Sequence, residues 1–190
     1  MPLTEMTDAD LLRAYAGGTA AAAEELARRL LPGALAQATR MLADRAAAED
    51  VAQDAMMRLW RQASDWRSGE AQVSTWLYRV VSNLCIDQLR KRKRNMPLDA
   101  VADPADPAES AADQLQTRTR MQALSAALST LPDRQAQAVA LRHLEGLSNP
   151  EIAEIMDISV RSVESLTARG KRALAAQLAG RRAELGYDDA

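Results

Sequence analysis

The chain has 190 residues and a formal net charge of -2; 47% of its residues are hydrophobic, with three Trp, three Tyr and no Phe. This length suits one ordinary domain or two small ones, and a core rich in Ala and Leu suits small helical units better than a sheet. The single cysteine, Cys85, excludes an internal disulfide framework, no Cys/His cluster has zinc-ligand spacing, and no apolar run approaches the roughly 18 residues of a membrane span.

The N-terminus MPLTEMTDADLL carries acids where a secretory signal would carry basic residues and an apolar run, so a soluble, cytoplasmic protein is predicted. Thr7 to Asp10 has capping-box spacing, and DADLLRAYAGG reads as a short helix stopped by Gly17 and Gly18. A second helical stretch follows, with Leu26, Leu30, Leu35 and Met41 as apolar positions, and Pro32 is expected to break or restart it. In AAAEDVAQDAMMRLWRQA, Val51, Ala55, Leu59 and Ala63 recur at four-residue steps and predict a third helix.

After the loop SDWRSGEAQVS comes RVVSNLCIDQLRKRKR, residues 79–94, which starts as a buried helix and ends in five consecutive basic residues. Leu77, Val81 and Leu84 form its apolar stripe, while Asn83, Asp87, Arg90 and Arg94 share a neighbouring face at steps of four, three and four. Arg79, Arg90, Lys91, Arg92, Lys93 and Arg94 oppose Asp87 alone, a net +5 in sixteen residues. Such a face supplies phosphate affinity through counterion release, Asn83 offers a donor and an acceptor, and Trp66, Trp76 and Tyr78 offer stacking surfaces for unpaired bases.

The character then changes. Residues 96–114 hold Pro97, Pro104 and Pro107 and the acids Asp99, Asp103, Asp106, Glu109 and Asp113, with no Lys or Arg; a flexible acidic linker is expected. Beyond it three segments of helical period follow, and no stretch of length alternates as a strand does. In the last, Ser148 and Glu151 form a second capping-box pattern beside Pro150, and Ile152, Ala153, Ile155 and Met156 give an apolar face. A tight DIS connection leads to a longer helix capped by Ser159, with Val163, Leu166 and Leu174 directed inward. Helix, short turn and longer helix is the helix-turn-helix pattern. Val160, Arg161, Ser162, Glu164 and Ser165 would then face base edges, and Arg169, Lys171 and Arg172 phosphates; Glu164 repels phosphate and counts against this reading unless it accepts a hydrogen bond from a cytosine amino group.

The expected architecture is all-α: two small helical domains, 6–95 and 115–180, joined by the acidic linker 96–114. In AEDVAQDAMMRLWRQ, STWLYRVVSNLCIDQLRKRKR, LPDRQAQAVALRHLEGLSNPEIAEIM and the helix-turn-helix, in that order, the chain resembles the bacterial extracytoplasmic-function (ECF) sigma factors of RNA polymerase. The resemblance implies that Asp50, Gln53, Asp54, Leu59, Trp60 and Arg61 dock on the clamp of the polymerase. It implies that the loop Asp65 to Val73 captures a flipped base of the -10 strand, with Trp66, Trp76, Asn83, Asp87, Arg90, Lys91 and Arg94 holding the melted element. It implies that Arg161, Ser162, Ser165, Arg169, Lys171 and Arg172 read the duplex -35 element, and that the linker threads a basic channel of the polymerase.

Core RNA polymerase, promoter DNA and an anti-sigma factor are the expected partners; a membrane-bound anti-sigma factor would hold the chain at a membrane into which it does not itself insert. No cofactor and no metal are expected. Catalysis would belong to the polymerase: the sequence has no Gly-rich phosphate loop and no nucleophile beside a His motif, and the adjacent Glu49 and Asp50 point apart on a helix. Cys85 is expected to be a buried structural thiol and His143 a surface or interface residue. Two other readings remain open from residues alone, a sigma-like decoy that sequesters an anti-sigma factor and a helix-turn-helix repressor; retention of RKRKR and ARGKR weighs against the decoy.

Overall fold

The structure, a computed structural model, describes residues 2–67, 72–95 and 111–181. Eight α-helices carry the described residues: α1 Asp8–Ala16, α2 Ala20–Leu42, α3 Arg45–Gln62, α4 Val73–Asn95, α5 Ala111–Leu128, α6 Asp133–His143, α7 Asn149–Met156 and α8 Val160–Ala179. Short 3-10 turns at Leu3–Glu5 and Ala63–Asp65 complete the elements. No strand occurs among the described residues.

Local chemistry sets most boundaries. Thr7 Oγ1 accepts from the Asp10 amide and starts α1, Asp44 accepts from the Ala47 amide and starts α3, and Ser159 accepts from the Ser162 amide and starts α8. At α7 the reciprocal capping box of Ser148 and Glu151 is complete, with Pro150 in the first turn. Gly18, at φ +95°, turns the chain between α1 and α2 in a conformation that side chains disfavour. Ser148→Ala is expected to cost about 1 kcal/mol, the usual worth of an N-cap hydroxyl, and Ser148→Asn close to nothing; urea midpoints at unchanged m-value measure both.

Pro32 does not interrupt α2, which runs continuously through it. Leu31, Pro32 and Gly33 are exposed, so the carbonyl deprived of its partner lies toward water, while Leu26, Leu30, Ala34, Ala38 and Met41 hold the helix to the core on both sides. The segment expected to be linker is shortened at its end, because α5 begins at Ala111; residues 96–110 lie outside the described residues.

α2 and α4 form the centre. α2 packs on α1, α3, α4 and α5, and α4 packs on α2 and α3 along one side and on α6 and α7 along another. α8 lies outside, against α5, α6 and α7. One apolar core extends from Leu11, Leu26 and Leu59 through Val81, Cys85 and Leu89 to Leu128, Val139 and Leu174. A smaller cluster, with Leu141, Ile152, Ile155, Met156 and Val163 at its heart, holds the helix-turn-helix, and Tyr78 of α4 packs at its edge. The two helical halves thus share α4 as a common wall, which requires α4 to bury more than a single stripe: Ser82, Ile86 and Leu89 are covered in addition to Leu77, Val81, Leu84 and Cys85.

Candidate nucleic-acid interface

Asn83, Asp87, Arg90, Lys91 and Arg94 are all exposed on α4, opposite the buried arc. Two of these are already engaged. Arg90 forms an ion pair of 2.7 Å with Asp133 of α6, and the Asn83 side-chain oxygen accepts from Gln137 Nε2 at 3.1 Å. Of the other basic residues, Arg92 turns inward, donating to the Leu42 carbonyl at 3.1 Å and pairing with Asp44, so it anchors α4 to the start of α3. Arg79 donates to the backbone of α7. The cations of α4 are therefore divided: Lys91, Lys93 and Arg94 point to solvent, Arg90 makes an exposed ion pair, and Arg79 and Arg92 are tied to backbone carbonyls of neighbouring elements.

Trp66 and Trp76 are half-buried and meet edge to face, with centroids 6.1 Å apart and planes at 83°. The Trp66 Nε1 group is buried and finds no acceptor among the described residues. A ring pair in this geometry is a packed platform at the foot of α4. The loop expected to capture a base includes residues 68–71, which lie outside the described residues.

On α3, Asp50, Gln53, Asp54 and Arg61 share one face by helical spacing; Asp54 pairs with Arg58 at 3.1 Å. Leu59 does not belong to this face. It is completely buried in the core, half a turn away, and cannot touch a partner. Trp60 is half-buried and packs on Tyr15 at 4.9 Å, so part of it is core. The residue that sequence reading missed is Met57, 52% exposed and placed by i+3 and i+4 steps between Gln53, Asp54 and Arg61. A soft apolar side chain ringed by polar ones has the anatomy of a protein contact. A groove beside this face is lined by Asp50, Asp54 and Arg58 of α3 and Asp87, Gln88 and Lys91 of α4.

α8 presents the third surface. Val163, Gly170 and Leu174 are buried, and Arg161, Ser162, Glu164, Ser165, Arg169, Lys171 and Arg172 are exposed. Ser162 is tied to the helix cap, its hydroxyl 2.8 Å from that of Ser159, and Arg169 folds back to donate to the Ser165 hydroxyl at 2.8 Å.

Cys85, the single cysteine of the sequence, is completely buried. Burial pushes the Cys85 thiol from 9.0 up to about 12, an effect reinforced by the charge of Glu145 and opposed by Arg92. Cys85 is accordingly expected to resist thiol-specific reagents at neutral pH in the native protein and to react once the chain is unfolded; reaction at a free-thiol rate under native conditions would refute this. His143 is exposed, its pKa lowered by partial burial and by Lys171 and Arg142. Among the described residues there is no His/Cys/Asp/Glu group able to hold a metal ion and no helix long and apolar enough to cross a membrane.

Residues 26–95 match the sigma-70 region 2 family and residues 121–174 the sigma-70 region 4 family. The chain is 34% identical over 175 residues to the ECF RNA polymerase sigma factor SigM of Mycobacterium tuberculosis (strain ATCC 25618 / H37Rv), covering 90% of this chain and 84% of that one. It is 33% identical over 153 residues to the ECF RNA polymerase sigma factor SigW of Bacillus subtilis (strain 168), covering 73% and 79%. Among solved structures it is similar to CnrH in complex with the cytosolic domain of CnrY, with a TM-score of 0.63 at 25% identity over 91% of this chain and 97% of that one. It shares its fold with the sigma factor RpoE in complex with the anti-sigma factor NepR from Bartonella quintana, with a TM-score of 0.56 at 24% identity, covering 82% and 95%. With a basic-ended helix in the first matched region and a capped helix-turn-helix in the second, the chain belongs to the ECF sigma factors, which bind core RNA polymerase and direct promoter-specific transcription initiation.

Proposed function

We propose that the three surfaces divide this work. The exposed α3 face of Asp50, Gln53, Asp54, Met57 and Arg61 docks on the polymerase clamp, with Leu59 supporting it from the core and the outer edge of Trp60 at its border. The α4 face of Asn83, Asp87, Arg90, Lys91 and Arg94, with Trp66 and Trp76 at its foot, holds the separated -10 strand through phosphate contacts and stacking. The α8 face of Arg161, Ser165, Arg169, Lys171 and Arg172 enters the major groove at -35, with Ser162 fixing the start of the helix. The working units are 6–95 for polymerase and -10 binding and 111–180 for -35 binding, joined through 96–110.

The observation that supports this reading best is the presence on one chain of two separate cationic faces, one on α4 beside paired tryptophans and one on the second helix of a helix-turn-helix. Nucleotide addition belongs to the polymerase, and this chain contributes recognition and strand separation in the cytoplasm. An anti-sigma factor controls it, covering polymerase-binding surfaces and, where that partner is a membrane protein, holding the chain at the membrane. The similarity to two sigma-type folds solved with partner proteins supports such control.

Run-off transcription with bacterial core polymerase, this chain and a pool of promoter fragments from its own genome tests the assignment. Discrete transcripts that depend on the chain, lost with Asn83→Ala and shifted in preference with Arg161→Ala, are the expected result. Chain-dependent transcripts indifferent to both substitutions would remove the two DNA faces from the proposal.

A further inference from the structure

The first residues of the chain have little regular structure to hold them. Residues 2–7 contain only the 3-10 turn Leu3–Glu5 and the Thr7 cap of α1, and a terminal segment of this kind frays unless it is tied down. The tie is Arg29 of α2. A guanidinium has five N–H donors, and here each one finds an acceptor. Nε donates to Glu25 at 2.7 Å, Nη1 to the Met6 carbonyl at 2.8 Å and to Asp8 at 3.1 Å, and Nη2 to the Thr4 carbonyl at 2.9 Å and the Leu3 carbonyl at 3.1 Å. Hydrogen bonds from Arg28 and from Arg29 itself hold the Glu25 carboxyl at about 2, so the acid that orients the guanidinium is charged at neutral pH. The buried side of α2 is supplied by Leu26, Leu30, Ala34 and Ala38, so the guanidinium serves the N-terminal segment rather than the helix that carries it.

What Arg29 fastens is the start of a strut. Leu3 and Met6 pack against the core, and Leu11 and Leu12 of α1 are completely buried. At the far end of α1, Tyr15 meets Trp60 of α3, with ring centroids 4.9 Å apart and planes tilted by 58°. α1 also packs on the turn Ala63–Asp65 that closes α3. The N-terminal segment therefore leans on the end of the helix whose outer face carries Asp54, Met57 and Arg61.

We infer that Arg29 is a positioning residue for polymerase docking: through residues 3–8 and α1 it fixes Tyr15 against Trp60 and so sets the end of the α3 face that meets the clamp. The inference rests on the assignment of that face made above. Its physical basis is preorganisation. A side chain locked by packing before the partner arrives loses little freedom on binding, whereas a loose one must be ordered at the expense of affinity. With α1 unfastened, the Trp60 ring loses its support on one side, and the last turn of α3, with Arg61, loses its fixed direction.

Binding of the full-length chain to immobilised core polymerase tests this, at a temperature where circular dichroism shows each variant fully folded. Arg29→Ala and Tyr15→Ala are each expected to weaken binding about tenfold, and Tyr15→Phe, which keeps the ring, to stay within about twofold of wild type. Arg29→Lys, with three donors in place of five, is expected to fall between wild type and Arg29→Ala. Because both residues act through Trp60, the double variant Arg29→Ala with Tyr15→Ala should still lose only about tenfold, where independent effects would multiply to about a hundredfold. In run-off transcription, saturating Arg29→Ala is expected to reach the wild-type plateau on the same promoters; a chain that is merely unstable would lose plateau as well. If Arg29→Ala fails to fold, Arg29→Lys and Tyr15→Ala carry the same cycle.

Arg29→Ala binding within about twofold of wild type overturns the inference, as do losses that multiply in the double variant. Met57→Asp, on the docking face itself, separates the two claims. Binding lost with Met57→Asp but not with Arg29→Ala leaves the face standing and removes the positioning role alone. Binding indifferent to Met57→Asp removes the assignment of the face, and the inference with it.

Discussion

Gly170→Ala is expected to destabilise the protein by about 1–2 kcal/mol, although the same change in an exposed helix would stabilise it. Gly170 lies on the buried side of α8 where it crosses α6, and a Cβ there would stand 2.5 Å from Val139 Cγ2 and 3.3 Å from the Gln135 carbonyl oxygen. Overpacking of this kind costs about 1–3 kcal/mol, against a gain of about 1 kcal/mol in helix propensity. The clash wins because neither neighbour yields easily. Val139 is β-branched, buried and stiff at χ1, and the Gln135 oxygen is backbone. Val139→Ala alone removes buried methyls and is destabilising, yet Val139→Ala with Gly170→Ala should be more stable than Gly170→Ala alone. That non-additivity, read as urea midpoints at constant m-value, is the signature of a contact rather than of a propensity effect. A Gly170→Ala protein as stable as wild type would refute the close crossing.

Short-range chemistry explains why so much of this fold is legible in the chain. The caps at Thr7, Ser148 and Ser159 and the stripe Val51, Ala55, Leu59 and Ala63 involve partners within one or two turns, and spacing alone specifies them. Pro32 misleads because the rule that proline breaks helices is local, whereas α2 continues through it, held by tertiary burial on both sides. Leu59 shows two signals in conflict. Its own four-residue stripe places it in the core, and family resemblance places its segment at a polymerase contact; the first is about the side chain, the second only about the helix. Met57 was available from the same wheel, three and four residues from Asp54 and Gln53. The contacts of Gln137 with Ser82 and Asn83, and of Arg40 with Glu145, join residues 54 to 105 positions apart, and no pattern in either segment announces the other. Pairing at that range is a property of how the two halves dock, which periodicity does not encode.

The second large effect is expected on α8, where the exposed residues divide by what already holds them. Arg161, Ser165, Ala168 and Arg172 follow steps of four, three and four, so they form one stripe opposite buried Val163, Gly170 and Leu174. Within it, Ser165 is engaged by Arg169, whereas Arg161, in the first turn, is the cation that a groove-bound helix would present to base edges. Arg161→Ala is therefore expected to cost about 1–3 kcal/mol at one base pair of the -35 element, a roughly 5- to 150-fold loss of discrimination there with the other positions unchanged. Lys171 lies to one side of the stripe, nearer the flank where phosphates would run. Lys171→Ala should weaken all promoters by a similar factor and lower the salt dependence of binding by about 0.9 in slope, without altering sequence preference. Transcription from a library randomised at -35, repeated at several salt concentrations, distinguishes the two patterns. A uniform loss from Arg161→Ala would make it a phosphate contact and move base readout to the Glu164 side of the helix, where a carboxylate selects for the amino group of cytosine.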